Sequence, residues 1–550
     1  MSGRIHSVNI IILKLVLIFM VSIPLQVSSK QQIYDHFLYE GLENITIRVP
    51  VNEVSIKSNH LLCEKKGEII IVDSIIESFS SHDKELICVF SPMDCSPYLI
   101  SAKYYLDIET TSGNHIFSDS VVVNVKMPDT GLPVMSVKLD EEVSNIQRET
   151  YLTAFLTMAH GVDTLFVDEK LKIKGRGNGT WKYPKKPYKL KFDKKVPLLG
   201  EGKHYALLSS YTDKTFLRHA LSMDMSFALN LDWTPSYEYV ELIINNQYLG
   251  TYILSETVRR DKNRLQLMDD GYLIEDDAYY SDEPLYFQTW YFSRFYTFKY
   301  PEPSDVTASL LEDIKNTIDK VERYITYCEE NDSIFEYIDL TSFAKWYYLN
   351  NILKNLDPNL FYYKESASQK LKMGPYWDTE WTFGNGWYYG DRPNPEHWIV
   401  SRTPYFDKLP NNGLFFSTLQ KIHSEYRNVL IDTFNNIFEK YKEQLRTSQM
   451  LNYKRWPNLN ELVDIGLKPL GSWELECDDL KFYFLDHVNY IDNWLNISST
   501  NINVNKQNEQ IGKVAPFYNL MGIKTNCALN GVYIIGGKKI YSRHERYSTK

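Results

Sequence analysis

The sequence predicts an α+β protein: a small all-β module, then a larger domain that opens in strands and closes in helices, then a short β tail. Three observations predict it. Residues 30 to about 128 alternate apolar and polar side chains at period two, as in Ile45-Thr-Ile-Arg-Val and Val121-Val-Val-Asn-Val. From Leu132 onward, longer alternating runs surround a Gly-rich turn at 171–192. Later the apolar period changes to that of a helix, at Leu311, Ile314, Ile318, Val321 and Ile325, and again in 419–441 and 480–495. The chain of 550 residues has room for two to four domains. Its 43% hydrophobic and 24% charged content is that of an ordinary globular protein. A net charge of −10 argues against bulk nucleic-acid binding, which calls for a basic face.

Residues 1–29 read as an export signal. Arg4, His6 and Lys14 precede an apolar run at 15–25, and Ser28 and Ser29 offer a cleavage site. That run is too short to span a bilayer comfortably, and no later stretch of eighteen apolar residues follows. The expected product is secreted or surface-located, with no integral membrane segment once the signal is removed. Residues 30–128 read as a small Ig-like β-sandwich that serves as a spacer or recognition module. The cysteines at 63, 88, 95, 328, 477 and 527 form no C-x-x-C pair, so a zinc site is not expected and the pairing stays open. The run from Met127 to Pro133 reads as a linker.

In the second part, strands are expected at Val134-Met-Ser-Val-Lys-Leu and Tyr151-Leu-Thr-Ala-Phe-Leu-Thr-Met. Two more flank the turn that carries Gly175, Gly177 and Gly179. Such a turn lets backbone N–H groups approach an anion closely. In the returning strand Tyr188, Leu190 and Phe192 share one face, with Lys189 and Lys191 on the other. A lysine on the strand after a Gly-rich turn is where protein kinases pair the nucleotide phosphates. A Gly-rich hairpin with exposed lysines is more often only a hairpin. A helix follows at 217–229, and Asn245-Asn-Gln-Tyr turns a hairpin between 239–244 and 250–256.

The chemistry is expected in 349–386. Asp357 stands at a helix exit, and Asp378 stands at the end of a strand in Trp-Asp-Thr-Glu-Trp-Thr-Phe-Gly. One acid can orient or deprotonate a hydroxyl while a D-x-E pair holds a metal against phosphate oxygens. On spacing alone, such residues are more often turn chemistry than a metal site.

Six segments, in order, resemble the CotH family of atypical, secreted, kinase-like proteins. They are Arg176-Gly-Asn-Gly-Thr-Trp, Lys186-Pro-Tyr-Lys-Leu-Lys, Asp213-Lys-Thr-Phe-Leu-Arg-His-Ala-Leu, the hairpin 241–256, Lys354-Asn-Leu-Asp, and Gly374-Pro-Tyr-Trp-Asp-Thr-Glu-Trp-Thr-Phe-Gly. The resemblance spans roughly 130–497 and implies an atypical two-lobed protein-kinase-like domain that moves phosphate from ATP to Ser or Thr of a protein substrate. It implies Asp357 as catalytic acid, and Gly175, Arg176, Gly177, Asn178, Lys189 and Lys191 around the nucleotide. It further implies Asp378 and Glu380 as ligands of Mg²⁺ or Mn²⁺.

The sequence departs from the family pattern at Gly179 (usually Ser), Glu380 (usually Asp) and Asn351 (commonly Glu). Those departures leave a second reading, a pseudokinase acting as a surface binding or structural scaffold. Nucleotidyl transfer on the same fold is a third. Residues 498–514 read as a polar linker, and 515–550 as a β tail resembling the sorting or surface modules of exported Bacteroidetes-type proteins.

Overall fold

The computed structural model describes residues 101–118, 120–126, 128–327, 332–386, 394–395, 403–463 and 467–495, and the strands named below that fall outside those ranges. The expected signal peptide (1–29) and linker (498–514) lie outside the described residues, as do Cys95, Cys328 and Cys527. Cys477 is a buried free thiol. The chain divides into two units, residues 1–491 and 492–550.

The N-terminal alternation yields strands β1 (Gln32–Phe37), β2 (Ile45–Pro50), β3 (Ile56–Lys65), β4 (Glu68–Val72), β5 (Ile76–Ser80), β6 (Glu85–Phe90), β7 (Ser101–Thr110), β8 (His115–Phe117) and β9 (Val121–Lys126). They form two sheets. One runs β1-β9-β7-β3-β4 with β8 on β7, and the other runs β2-β6-β5. Tyr104, Leu106 and Ile108 bury the same side of β7, as period two requires.

Seven strands then close on themselves: β10 (Val134–Lys138), β11 (Leu152–His160), β12 (Asp163–Gly175), β13 (Tyr188–Pro197), β14 (Glu201–Leu208), β15 (Tyr237–Ile244) and β16 (Gln247–Glu256). Their order is β10-β11-β12-β13-β14-β16-β15, and the parallel pair β10–β15 shuts the barrel. Ile173, Tyr188, Leu190, Phe192, Tyr205 and Leu207 fill the interior. Lys172, Lys174, Lys189 and Lys191 therefore stand on the outer face of β12 and β13. Asn245 and Asn246 turn the β15–β16 hairpin with φ of +50° and +63°, the type I′ geometry that two-residue hairpins favour. Helix α1 (Arg218–Ala228) lies between β14 and β15 in the chain.

A second sheet follows, β18-β19-β17-β20-β21, from β17 (Tyr272–Asp276), β18 (Tyr286–Gln288), β19 (Phe295–Tyr300), β20 (Leu360–Lys364) and β21 (Lys372–Met373). Leu208 of the barrel and Trp377 of a later loop pack with Leu273, Phe361 and Tyr363 of this sheet, which joins the two layers. The helices are α2 (Ala308–Tyr327), α3 (Leu340–Ile352), α4 (Tyr405–Lys408), α5 (Gly413–Gln444), α6 (Arg446–Arg455) and α7 (Trp473–Trp494).

The expected stripes are largely core. Ile314, Ile318, Val321 and Ile325 of α2 are buried, as are Leu419, Ile422, Leu430 and Phe434 of α5 and Leu480, Phe484, Val488 and Ile491 of α7. Asp339 starts α3 by accepting the Ser342 N–H at 2.8 Å, and Asn412 starts α5 by accepting those of Leu414 and Phe415. The α+β class is what the sequence predicts.

In the second unit β22 (Phe517–Asn519), β23 (Lys524–Thr525), β24 (Gly531–Ile535) and β25 (Lys538–Ser542) form an antiparallel sheet ordered β23-β22-β24-β25. No helix among the described residues is long and apolar enough to cross a membrane.

Candidate active site

The Gly-rich turn is a loop of twelve residues between β12 and β13, and its glycines differ in need. A Cβ on Gly175 would fall 2.4 Å from the Trp181 ring. Gly177 has φ +81°, and a Cβ there would lie 2.1 Å from Thr180 Oγ1. A Cβ on Gly179 meets nothing within 4 Å. Arg148 Nη1 donates to the Gly177 carbonyl at 3.2 Å and to Asn178 Oδ1 at 3.3 Å, which ties the loop to the barrel's edge. Gly177→Ala is thus expected to destabilise the domain by about 1–3 kcal/mol through backbone strain. Gly179→Ser should stay within about 0.5 kcal/mol. Urea unfolding of the two variants checks both.

Arg176 follows β12 and lays its guanidinium over the Trp377 ring, 5.6 Å from the centroid. Its Nη1 is buried without a hydrogen-bond partner. Burial lowers its pKa, and Asp378 and then Glu275 work against that. Lys189 is half-buried; burial first, then Arg259, Arg176, Lys174 and Lys299, bring its ammonium down to about 8. Lys191, two residues on, pairs in register with Lys172 on β12 and His204 on β14. Burying cations side by side is unfavourable. An anion would relieve it.

The acids come from two loops that share hydrogen bonds. Leu356 N–H donates to the Trp381 carbonyl at 3.0 Å, and Phe383 N–H donates to that of Leu353 at 2.7 Å. Asn359 N–H donates to the Trp377 carbonyl at 3.3 Å. Those bonds bring Asp357, just beyond α3, to Asp378, twenty-one positions later. Asp378 lies in a loop five residues past β21 with φ +62°, so it is not at the strand end that the sequence suggested. β21 is only two residues long because the chain turns at Gly374, φ +121°, to enter this loop.

Burial, then the charges of Asp357 and Glu380, push the Asp378 carboxyl up to about 7, with Arg176 pulling it down. The residue is itself exposed to solvent, which screens part of that repulsion and tempers the rise. Glu380 is tied down. Its Oε1 accepts the Thr212 N–H at 2.9 Å and also the Thr212 hydroxyl. Burial raises its carboxyl, and the Thr212 bonds oppose the rise.

Two groups carry parts of the site that sequence reasoning did not assign. Glu275 on β17 pairs with Lys299 at 2.8 Å and accepts the Asn359 amide. Its charge acts on both Arg176 and Asp378. The other is the Asp213-Lys-Thr-Phe-Leu-Arg segment. Asp213 accepts the N–H groups of Thr215 and Arg218 at 3.0 and 3.1 Å, and so opens α1. Arg218 pairs with Asp213 at 2.5 Å and donates through Nε to the Thr382 carbonyl at 2.9 Å. Next to it, His219 Nδ1 sits 3.1 Å from Thr379 Oγ1. Helix α1 thereby holds the loop that carries Asp378. Recurrence of the segment was the only signal of this in the sequence, since an ion pair leaves no periodicity.

Residues 173–500 match the family model described as CotH kinase protein. The chain belongs to the CotH kinase family. No curated protein matches it. Among solved structures it is similar to a titin fragment (Titin-A168169), at 10% identity and a TM-score of 0.14 over 32% of this chain and 94% of that one. It is also similar to the fibronectin(III)-like modules of CbhA from Clostridium thermocellum, at 10% identity and a TM-score of 0.12 over 30% of this chain and 80% of theirs. Similarities that low carry no argument here.

Membership in the CotH kinase family gives the protein a kinase-like function, with a nucleotide, a divalent metal and a protein substrate in general. The matched span begins in β12 and takes in the Gly-rich loop, α1 and both acid loops. Of the expected departures, that at Gly179 is sterically mild. Gly179 has room for the serine it replaces. Asn351 is fully buried at the end of α3, where its amide donates to the Tyr347 carbonyl at 2.9 Å.

Among the described residues no group of three His, Cys, Asp or Glu side chains makes a ready-made metal cage. Mg²⁺ does not need one. It is usually held by one or two carboxylates together with substrate phosphates. Asp378, crowded by the charges of Asp357 and Glu380 and acted on by that of Arg176, fits that pattern.

The raised Asp378 carboxyl sets a pH dependence. Folded Asp378 holds a proton that the unfolded chain, at the ordinary carboxylate value, has already released. Its contribution to stability is fully present below about pH 4 and is lost as pH rises through about 7. A cation binding the carboxylate must displace that proton. Mg·ATP affinity is therefore expected to rise between pH 6 and 8, by at most about tenfold per unit. Calorimetric titration at several pH values checks it, and Asp378→Asn should flatten the rise.

Proposed function

We propose that this CotH protein is an exported protein kinase that transfers phosphate from ATP to Ser or Thr hydroxyls of surface or secreted proteins. The observation that supports this best is the charge coupling between the Gly-rich loop and the acid loops. Arg176, with an orphaned Nη1, acts electrostatically on Asp378, which Asp357 joins on interlocked loops, and Lys189 stands close enough to Arg176 to feel its charge.

In this reading Arg176, Lys189 and Lys191, with the loop of Gly175, Gly177 and Asn178, bind the triphosphate. Asp378 holds Mg²⁺ or Mn²⁺, with Glu380 beside it, and the metal would neutralise charge on the phosphate oxygens. Asp357 accepts the proton of the acceptor hydroxyl as its oxygen bonds the γ-phosphorus. The bond from that phosphorus to the β,γ-bridging oxygen breaks, and ADP leaves with the electron pair. Positioning and charge neutralisation carry most of such a reaction.

The pseudokinase reading draws support from one contact. Glu380 Oε1 is already taken by Thr212, which favours a site that binds nucleotide without turning it over. Nucleotide binding is the first requirement of the kinase reading. Mg·ATP should raise the Tm of the purified protein, and Arg176→Ala should remove most of the rise. A protein whose Tm ignores ATP with either metal contradicts the kinase reading and favours the non-catalytic scaffold.

Residues 1–29 would direct export, 30–128 would recognise a partner as a sandwich, and 515–550 would serve as a sorting signal or surface module. A fusion of residues 1–29 to a reporter enzyme should deliver it outside the cytoplasm, and retention inside would contradict the export reading.

A further inference from the structure

We propose that Asn355 is the positioning residue that holds the two acids in register, a role that rests on the kinase reading above. Its side chain is wholly buried. Oδ1 accepts the backbone N–H of Asp357 at 3.1 Å. Nδ2 donates to the backbone carbonyl of Asp378 at 2.7 Å, and to the Tyr376 hydroxyl at 3.0 Å. One planar amide therefore contacts the main chain of both acids, across two loops that backbone bonds also join at their flanks.

The requirement is chemically narrow. The group must accept on one side and donate on the other, at fixed spacing, inside a dry interior. An aspartate offers no donor at neutral pH, a leucine offers neither function, and a serine is too short to reach both loops. The amide is itself braced. Its own N–H donates to the Asn350 carbonyl at 3.0 Å, and Tyr376 O–H donates to Asn350 Oδ1 at 3.2 Å. Tyr376 is fully buried, so the brace is not exchanged for water.

The backbone on either side needs such a fixture. Lys354 and Asp378 both hold a positive φ, +52° and +62°, without being glycine. Such conformations persist where the surroundings over-determine them. Without the Asn355 bonds the Asp378 carbonyl loses its partner, and the Asp357 N–H loses the acceptor that ties it to the Asp378 loop. A misplacement of 1 Å in a site of this kind costs about 10² in rate.

The test compares Asn355→Ala, Asn355→Asp and Tyr376→Phe in the full-length protein. Asn355→Ala should lower kcat for phosphate transfer by about 10²-fold with a smaller rise in KM for Mg·ATP, because the Asp378 loop loosens while the phosphate-binding side chains keep their places. Asn355→Asp keeps the bond from Asp357 N–H and loses the donor to Asp378. It should lower kcat at least tenfold, and it carries the test if the alanine variant fails to fold. Tyr376→Phe removes the brace but neither link to the acids, so its kcat should stay within about threefold of wild type whatever its stability.

A second measurement needs no turnover. Hydrogen exchange at the Asp357 amide should accelerate at least tenfold in Asn355→Ala, and stay protected in Asn355→Asp and Tyr376→Phe. Equal kcat losses in the Asn355 and Tyr376 variants, or an Asp357 amide that exchanges alike in all of them, would overturn the assignment. A wild-type protein that transfers no phosphate defeats the kinase reading, and the exchange comparison then decides the positioning role alone.

Discussion

Asp357→Asn should lower kcat for phosphate transfer by about 10²–10⁴-fold while Mg·ATP binding stays close to wild type. The amide keeps the volume and the place just beyond α3, and it cannot take a proton from the acceptor hydroxyl. Asn355 holds the backbone N–H of residue 357, so the loop need not move when the side chain changes. The metal is assigned to Asp378, and removing a neighbouring negative charge should also lower the Asp378 carboxyl from about 7, because Asp357 is the largest charge acting to raise it. Stopped single-turnover assays beside calorimetric ATP titrations separate the two effects. A variant that loses ATP binding together with turnover would move Asp357 from proton acceptor to ligand.

The second large effect is on stability. Arg218→Met should destabilise the catalytic domain by about 3–5 kcal/mol, the cost of leaving one partner of a buried ion pair alone. Both side chains are 3% exposed, so water cannot replace the lost partner. Two further contacts disappear with the guanidinium, the bond to the Thr382 carbonyl and that to Thr215 Oγ1. Because Thr382 lies in the same loop as Asp378, ATP binding should weaken along with folding. Asp213→Asn combined with Arg218→Met should recover part of the loss, since a neutral amide costs less to bury than a carboxylate. Denaturant unfolding of the two variants gives the comparison. A single-variant loss below about 1 kcal/mol would mean the pair behaves as though it were on the surface.

What the sequence could show followed from periodicity. The α2, α5 and α7 stripes and the alternation of Tyr188, Leu190 and Phe192 against Lys189 and Lys191 all place side chains where the structure has them. Turn chemistry was equally legible at Asn245 and Asn246. Barrel closure was not, because it depends on a parallel pairing of β10 with β15, strands about a hundred residues apart. Helix α6 was missed for another reason. Its sequence, RTSQMLNYKR, has little apolar period, and it is held by polar contacts such as Asn452 with buried Lys185 at 2.8 Å.

For the site, spacing alone left Asp357 and Asp378 as ordinary turn acids, and the six family segments raised them to candidates. The Thr212 bond to Glu380, the Glu275–Lys299 pair and the Asn355 amide have no sequence signature. Each joins residues from separate loops or strands.

Transfer of label from γ-phosphate-labelled ATP to a protein acceptor, with Mg²⁺ or Mn²⁺ and with Asp378→Asn as control, tests the central claim most directly. The wild type should incorporate label onto Ser or Thr, and the variant none above background. Tight metal-dependent ATP binding with no incorporation into any acidic, basic or cell-surface acceptor would contradict that claim, and α-phosphate-labelled ATP would then separate nucleotidyl transfer from the pseudokinase reading. Incorporation that survives Asp378→Asn would contradict it as well, and would move the metal to other residues.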